Sequence, residues 1–518
     1  MRRAIGWGGA AGLLALLLQG TTARGDDAIG AAATIRAVGP DRQAEAVLAL
    51  FRGARAESPA AAMASWRKAT GDPAGVSKTA QALAAAFNPE TAREWRTFRG
   101  ASLSAGLDAD GEVRWSAVVP RDDGTVAALV ASLRLSNGAD EPPTPRGLPV
   151  RRLGGPGAAL AVVSPLGVVL AQRRAELDAA VARLGADRGL KGPDPDGPDG
   201  FHFTLRPDLL PDQPPADWRL PVAILRATGA RLADGVLGLR DDRLDLDLAT
   251  EFDPRKAALW DVPPVDPAWL SWAPADATRG AVALAAGRAP GFWDAVFELA
   301  DRVDRADPAR ADLQPLRVRL NLLALARGVR PEADLWPRVR GVAAARFAEP
   351  DGAVAAIVAD SPESAERILR RVVLPLAPLL GGKPDPAPAD EVATLGRASG
   401  KPVQAVARGN AVLIGWGEGA LRRALESAKA PERSLAPLVA ADPRPAGRVG
   451  VFRPELVPEL AGHLPSPPLA ATLDEAAPVV WRGGWSDGRT WDSLRWDDLR
   501  RVVARFLDRI PQAPPEAL

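Results

Sequence analysis

Apolar residues in the second half of the chain follow two periods, and each period predicts a different element. The short runs 280–285, 342–348 and 353–359 predict strands. Asp351-Gly352, between the last two runs, suits a tight hairpin. A helix is predicted where apolar residues recur at helical spacing: Phe292, Trp293, Val296, Leu299 and Val303.

A second helix is predicted to begin at Ser361, with Pro362 as its first residue and Glu363 near the positive end of its dipole. Its apolar face continues to Val373. Pro and Gly cluster in segments that we expect to be loops or linkers: 139–149, 186–217, 253–267, 381–390 and 462–468. Hairpins separated by amphipathic helices predict an α+β fold with mainly antiparallel sheets.

An internal repeat divides the chain into two related units. Trp95 precedes Asp110-Gly111 at the spacing at which Trp336 precedes Asp351-Gly352. Further matches are Pro149-Val150 with Pro402-Val403, 168–184 with 412–428, Arg206-Pro207 with Arg453-Pro454, and the hairpin-like segments 236–252 and 479–499. We therefore predict two homologous α+β domains, 26–264 and 265–518, with Trp95 and Trp336 at equivalent places on a helix leading into a hairpin.

Residues 1–25 have the pattern of a secretory signal peptide. Arg2 and Arg3 precede an apolar stretch, and small residues follow up to Ala23. An uncleaved anchor is the alternative, but the stretch is shorter than the ~20 residues that span a bilayer. No later stretch is long and apolar enough to be transmembrane. We expect an exported protein in the periplasm, at the cell surface or in the medium.

Charge and cysteine content exclude several classes of function. The chain has 65 Lys and Arg against 64 Asp and Glu, so no global positive field favours nucleic acid. It has no Cys, which excludes disulfides, a thiol nucleophile and a thiolate metal site. The packed cores alone must therefore hold the exported fold together.

The order of elements in the second unit resembles a known family. A hairpin and helix are followed by Pro402-Val403, the strand 412–415, a short helix 420–428 and Ser434-Leu435-Ala436. This order is similar to an exported bacterial family of unknown function whose members open a repeat with a Leu-Pro-Ala-Asp-like segment, here 272–276. The resemblance covers about 265 to 465 and implies export and fold; it implies no catalytic residues.

Candidate catalytic motifs all have simpler interpretations. The segment 484–488 matches the G-x-S-x-G nucleophile elbow, but no His follows Ser486, so a hairpin turn is favoured. The glycines of 415–419 follow a strand and open a helix, yet the third is one position early for a dinucleotide-binding turn. Ser65 to Lys68 fits S-x-x-K without its companion motifs and is read as an exposed helix turn.

Metal and cofactor sites are not indicated either. His202 and His463 are too far apart in sequence to define a zinc site, and His202 fits the polar side of a strand. The acidic segment 194–200 lacks the EF-hand spacing. Asp245 and Asp247 alternate with leucines, which is typical of a strand with one solvated face. No residue is singled out as catalytic, cofactor-binding or metal-binding.

Tryptophan is the residue type that suggests a binding surface. Four of the 15 lie close together in the last hairpin-like segment: Trp481, Trp485, Trp491 and Trp496. On one face they could stack on glycan rings or contact an envelope protein, whereas packing into the core explains them equally well. The sequence favours a non-enzymatic binding or scaffolding module of the cell envelope. The alternatives are a carrier of apolar ligands, and a hydrolase using carboxylates that the sequence does not identify.

Overall fold

The computed structural model describes most of the chain outside its N-terminal segment. The described residues are 33–70, 102–107, 113–120, 139–152, 159–164, 167–186, 199–210, 222–223, 225–289, 291–306, 314–348, 351–382, 391–454, 472–473 and 476–509. The predicted signal peptide, Trp95, Asp110-Gly111 and His463 lie outside them.

The described strands form one antiparallel sheet. Those of the first half are β1 (Ala33–Val38), β2 (Ser102–Leu107), β3 (Val113–Pro120), β4 (Ala139–Glu141), β5 (Val150–Arg152), β6 (Leu160–Ser164), β7 (Gly167–Ala171), β8 (Gly200–Leu205), β9 (Ala230–Arg240) and β10 (Arg243–Phe252). Those of the second half are β11 (Thr278–Ala285), β12 (Val339–Phe347), β13 (Gly352–Ala359), β14 (Ala393–Ala398), β15 (Lys401–Arg408), β16 (Ala411–Trp416), β17 (Arg448–Phe452), β18 (Val479–Ser486) and β19 (Arg489–Trp496).

The order of the described strands is symmetric about the pair β10–β19, apart from one additional strand, β4, at the end of the first half. Outward from β10, the strands are β9, β8, β1, β2, β3, β7, β6, β5 and β4. Outward from β19, they are β18, β17, β11, β12, β13, β16, β15 and β14. In each half, the order outward from the centre is the last hairpin, the strand that precedes this hairpin in sequence, the first strand of the half, and then its remaining strands.

Helices lie on both faces of this sheet. The α-helices are α1 (Pro40–Ala49), α2 (Pro59–Thr70), α3 (Arg174–Ala186), α4 (Phe292–Ala306), α5 (Leu316–Leu325), α6 (Pro331–Asp334), α7 (Pro362–Ile368), α8 (Ala420–Ser427), α9 (Ala436–Ala440) and α10 (Leu499–Arg509). A π-turn at Leu369–Val373 and a 3-10 helix at Leu374–Leu380 continue α7. The structure is therefore α+β with a large antiparallel sheet, as the patterning predicts.

Strand register separates the two faces of the sheet. We call the face with Trp481 the front and the face with Trp491 the back, because opposite residues of an antiparallel pair share a face. On the back, α8, α9 and Leu270 cover a core containing Ala283, Ala343 and Leu421. On the front, the α7 segment covers β13 to β16, and α1, α2 and α10 pack over Leu239, Leu244 and Trp496.

Several local predictions are confirmed. β12 and β13 form the predicted hairpin, and α4 begins at Phe292. Ser361 caps α7 by accepting a hydrogen bond from the Ser364 backbone N–H at 3.2 Å. The pKa of Glu363 is held below its usual value, mainly because its carboxylate accepts a hydrogen bond from its own backbone N–H and, to a smaller extent, because it accepts one from the Ser361 hydroxyl.

Other predictions are wrong in their details. The segment 186–217, expected to be a loop, contains β8, because Phe201, Phe203 and Leu205 alternate with polar residues. Trp336 follows α6 in a turn rather than lying on the helix. Val150 lies in β5 and Val403 in β15, which occupy different positions counted from the centre of the sheet. A Pro-Val pair fits the beginning of many strands and is a weak guide to equivalence.

Candidate functional site

The four tryptophans do not form one surface. In the β18–β19 register, Trp481 lies opposite Leu494, Trp485 opposite Thr490 and Trp496 opposite Val479, all on the front. Trp491 lies opposite Gly484 on the back. The closeness of the four in sequence therefore does not predict a shared face, since the side-chain direction alternates along each strand.

Three of these rings, those of Trp481, Trp491 and Trp496, have their own local partners. The Trp481 Nε1–H donates to Asp492 Oδ1 at 3.0 Å. Trp496 packs with Leu239 and the helices above it. Trp491 packs against the back core, and the Arg444 guanidinium lies 4.7 Å from its ring centroid. These contacts fit aromatic residues that stabilise the hairpin.

The charges beside Trp491 stabilise the backbone of the back face. Arg482 is buried and donates to the carbonyls of Val439, at 2.9 Å, and Arg444, at 2.6 Å. Burial is the main cause that lowers the pKa of Arg482. Hydrogen bonds from Arg444 lower the pKa of Asp442 to about 2. The cluster therefore holds the segment after α9 against the sheet.

The glycine-rich motifs have structural roles. Ser486 ends β18, and Asp487 and Gly488 turn the chain directly into β19 with φ of 53° and 77°. A nucleophile elbow requires a strand, a turn and then a helix, so this hairpin does not provide its context.

The other glycine motif does connect strand β16 to helix α8. Gly417, with φ of 107°, lies so close to the neighbouring β12–β13 hairpin that a Cβ would be 2.8 Å from the Asp351 carbonyl oxygen. Close packing thus explains the glycine without a phosphate. Ser65 is exposed on α2, as expected.

The histidine and acidic candidates are not assembled into a metal site. His202 lies in β8 on the side opposite Phe201 and Phe203. Asp245 is buried beside Arg243 at 2.9 Å, whereas Asp247 is exposed. Within the described ranges, no group of three or more potential ligands is placed to hold a metal ion. The same part of the chain has no helix long and apolar enough to cross a bilayer.

Sequence reasoning missed an exposed apolar patch on the front of β11 to β13. We call this the front patch; its members are Val282, Leu284, Val342, Ala344 and Ala355. Leu284 is 39% and Val342 41% exposed, and both alanines are exposed as well. The alternate residues of the same strands, such as Ala283 and Ala343, are buried in the back core. These strands are therefore apolar on both faces although only one face is covered.

The front patch continues into an apolar row across the centre of the sheet. Neighbouring strands place these residues side by side: Val282, Gly450, Trp481, Leu494, Leu246, Leu237 and Phe201. Those other than Gly450 are half-buried. For β11 to β13 the signal was present in the sequence, since runs without polar alternation predict strands covered on both faces.

A polar cluster borders the front patch. Arg448 lies opposite Leu284 and donates to Asp492 from Nε at 2.9 Å and from Nη2 at 2.7 Å. The two residues meet across Gly483, which lies on the strand between them. The guanidinium also lies 5.3 Å from the ring centroid of Trp260.

Arg448 is buried, at 9% exposure, and its hydrogen bonds to Asp492 use only one end of the guanidinium. Asp492 occupies the Nε and Nη2 side, and Nη1 has no hydrogen-bond partner among the described residues. An arginine held in this way presents a second pair of N–H groups to a ligand oxygen. The front thus combines an apolar surface with one oriented cation at its border.

Comparisons with known proteins give no family. No family model and no curated protein matches the chain. Solved structures of three crystal forms of TP0453, forms IV, III and I, share 7%, 8% and 9% identity with it. The alignments cover 44–46% of this chain and 79–81% of those chains, with a TM-score of 0.22. A likeness this weak carries no argument about fold or function.

Proposed function

We propose that the protein is an exported, non-enzymatic binding module for a long-chain amphipathic ligand. The apolar chain of this ligand lies on the front patch, and an oxygen at the polar end of the ligand accepts hydrogen bonds from Arg448. The observation that carries this proposal is the exposure of Leu284 and Val342 on strands whose other face is a complete core. Contiguous exposed apolar surface of this kind marks interaction sites in soluble proteins.

The shape of the surface favours a flexible chain over a flat ring. Val342 and Leu284 form a ridge beside the small side chains of Ala344 and Ala355, and the apolar row continues from them toward β8. A glycan-binding platform would need exposed aromatic faces, whereas Trp481, Trp491 and Trp496 instead contact their own neighbours. The proposal therefore takes up the carrier alternative rather than the tryptophan surface.

Ligand binding tests this function. A long-chain fatty acid with a fluorophore is titrated into the purified chain and into the L284Q/V342T variant. Each buried CH₂ contributes about 0.8 kcal/mol, so loss of this apolar contact should weaken binding at least tenfold. L438Q is the matched control, because Leu438 is 36% exposed on α9, away from the front.

The polar end is tested separately with the methyl ester of the same fatty acid. The wild type should prefer the free acid, and R448M/D492L should bind both forms equally. Equal affinity of wild type and L284Q/V342T for the acid would contradict the binding site itself. Folding of each variant is checked by circular dichroism.

We also propose that the two halves descend from one duplicated unit and belong to the exported bacterial family that the second unit resembles. The symmetric strand order supports the duplication, as do Arg206-Pro207 and Arg453-Pro454, which directly follow β8 and β17. Export rests on the pattern of residues 1–25. N-terminal sequencing of the protein recovered from outside the cytoplasm should begin near residue 26; recovery of a chain beginning at Met1 would contradict cleavage.

A further inference from the structure

Helix α5 exposes an apolar stripe that is separate from the front patch. Val318, Leu322 and Leu325 lie at i, i+4 and i+7 and therefore share one side of the helix. They are 43%, 56% and 64% exposed, and the two leucines are the most exposed of the large apolar residues described. The buried side of the helix, including Ala324, already packs against the protein.

The charges around this stripe are arranged asymmetrically. Arg317 and Arg319 pair with acids: Arg317 with Asp294 and Glu332, and Arg319 with Asp304. Arg327 and Arg330, just beyond the C-terminal end of α5, are exposed and form no ion pair among the described residues. The apolar stripe thus ends at two exposed cations that form no ion pair within the described part of the chain.

We infer that α5 docks the protein on an anionic lipid surface. Interfacial helices insert a few large aliphatic side chains below the headgroups while nearby arginines contact lipid phosphates. A helix of ten residues is ~15 Å long and about 10 Å wide, so one side of it covers roughly 150 Å², well below the about 800 Å² per partner of a stable protein interface. The stripe and its cations match a membrane surface in both apolarity and charge.

This docking is independent of the proposed ligand site. The stripe lies on α5, whereas the front patch lies on β11 to β13. The two proposals are therefore tested with different variants and different assays, and one proposal can fail while the other holds.

Vesicle flotation of the full exported chain tests the inference. Vesicles of phosphatidylcholine with phosphatidylglycerol should carry the protein to the top of the gradient, and vesicles of phosphatidylcholine alone should carry much less. L322S/L325S should lower the partition coefficient at least tenfold, whereas L379S, a change at a similarly exposed leucine elsewhere, should not. Size-exclusion chromatography with light scattering shows whether the same stripe instead mediates self-association.

The arginines are tested by the salt dependence of flotation. Each cation near an anionic surface contributes about 1 kcal/mol, or roughly fivefold, so R327Q/R330Q should weaken binding and flatten its salt dependence. R433Q removes an exposed charge elsewhere and should leave binding unchanged. Equal flotation on neutral and anionic vesicles, or an L322S/L325S variant that floats like the wild type, would overturn the inference. The inference would also be overturned if the L322S/L325S substitutions changed only the oligomeric state and not the binding to vesicles.

Discussion

Gly483 shows how one residue without a side chain permits a buried ion pair. It lies on β18 between Arg448 on β17 and Asp492 on β19, so the two charged side chains must meet directly above it. A Cβ at this position would be 2.3 Å from Asp492 Oδ1 and 2.4 Å from Arg448 Nε. Glycine is therefore required at this position because any side chain would clash with the charged pair, and not because the backbone has an unusual φ.

Replacement of Gly483 by Ala should separate this pair and destabilise the protein. Breaking a largely buried ion pair costs about 3 kcal/mol, because each charge keeps its desolvation penalty and loses its partner. The expected result is a lower urea midpoint for G483A. In the R448M/D492L background the same substitution should cost much less; an equal cost in both backgrounds would show that the methyl group clashes with the backbone instead.

At the scale of single elements, the sequence predicts the turns and helix ends that depend on interactions between neighbouring residues. The β12–β13 hairpin follows from Asp351-Gly352 between two apolar runs, and α7 from a cap, a proline and an acid in succession. These signals act between residues close in sequence. The face to which Trp491 points was not predictable in this way, because it depends on the register of the β18–β19 hairpin.

The front patch was missed for a related reason. Its strands, such as 280–285, are apolar at nearly every position, and such runs normally belong to strands covered on both faces. Whether the second face is covered depends on where α4 and α7 pack, which the sequence of the strands does not contain. Arg448 and Asp492 are 44 residues apart, and only the β17–β18–β19 pairing brings them together.

At the scale of the whole molecule, the pair β10–β19 joins the two halves into one sheet. Its register runs from Leu244 opposite Trp496 to Glu251 opposite Arg489. Ion pairs also cross this seam on the back face, between Asp245 and Arg495 and between Glu251 and Arg489. The two units predicted from the sequence therefore share backbone hydrogen bonds in addition to side-chain contacts, and we expect them to unfold together.

The seam can be tested by a disulfide because the natural chain has no cysteine. Asp247 and Ser493 lie directly opposite each other across it, near the middle of the pairing. Opposite Cβ atoms in antiparallel strands are about 4.5–5.5 Å apart, so D247C/S493C should oxidise to an internal disulfide. The measurements are the loss of free thiols, a faster band on a non-reducing gel and a higher unfolding midpoint than in the reduced protein.

D247C/R495C is the matched control, since Arg495 lies opposite Asp245, two residues along the strand. Its diagonal pair is about 7–8 Å apart and should stay reduced under the same mild oxidation. If both variants remain reduced, the halves do not pair through β10 and β19. If the control oxidises and D247C/S493C does not, the strands pair in a shifted register, and the apolar row from Val282 to Phe201 is interrupted at the same place, because Leu246 and Leu494 would no longer lie side by side.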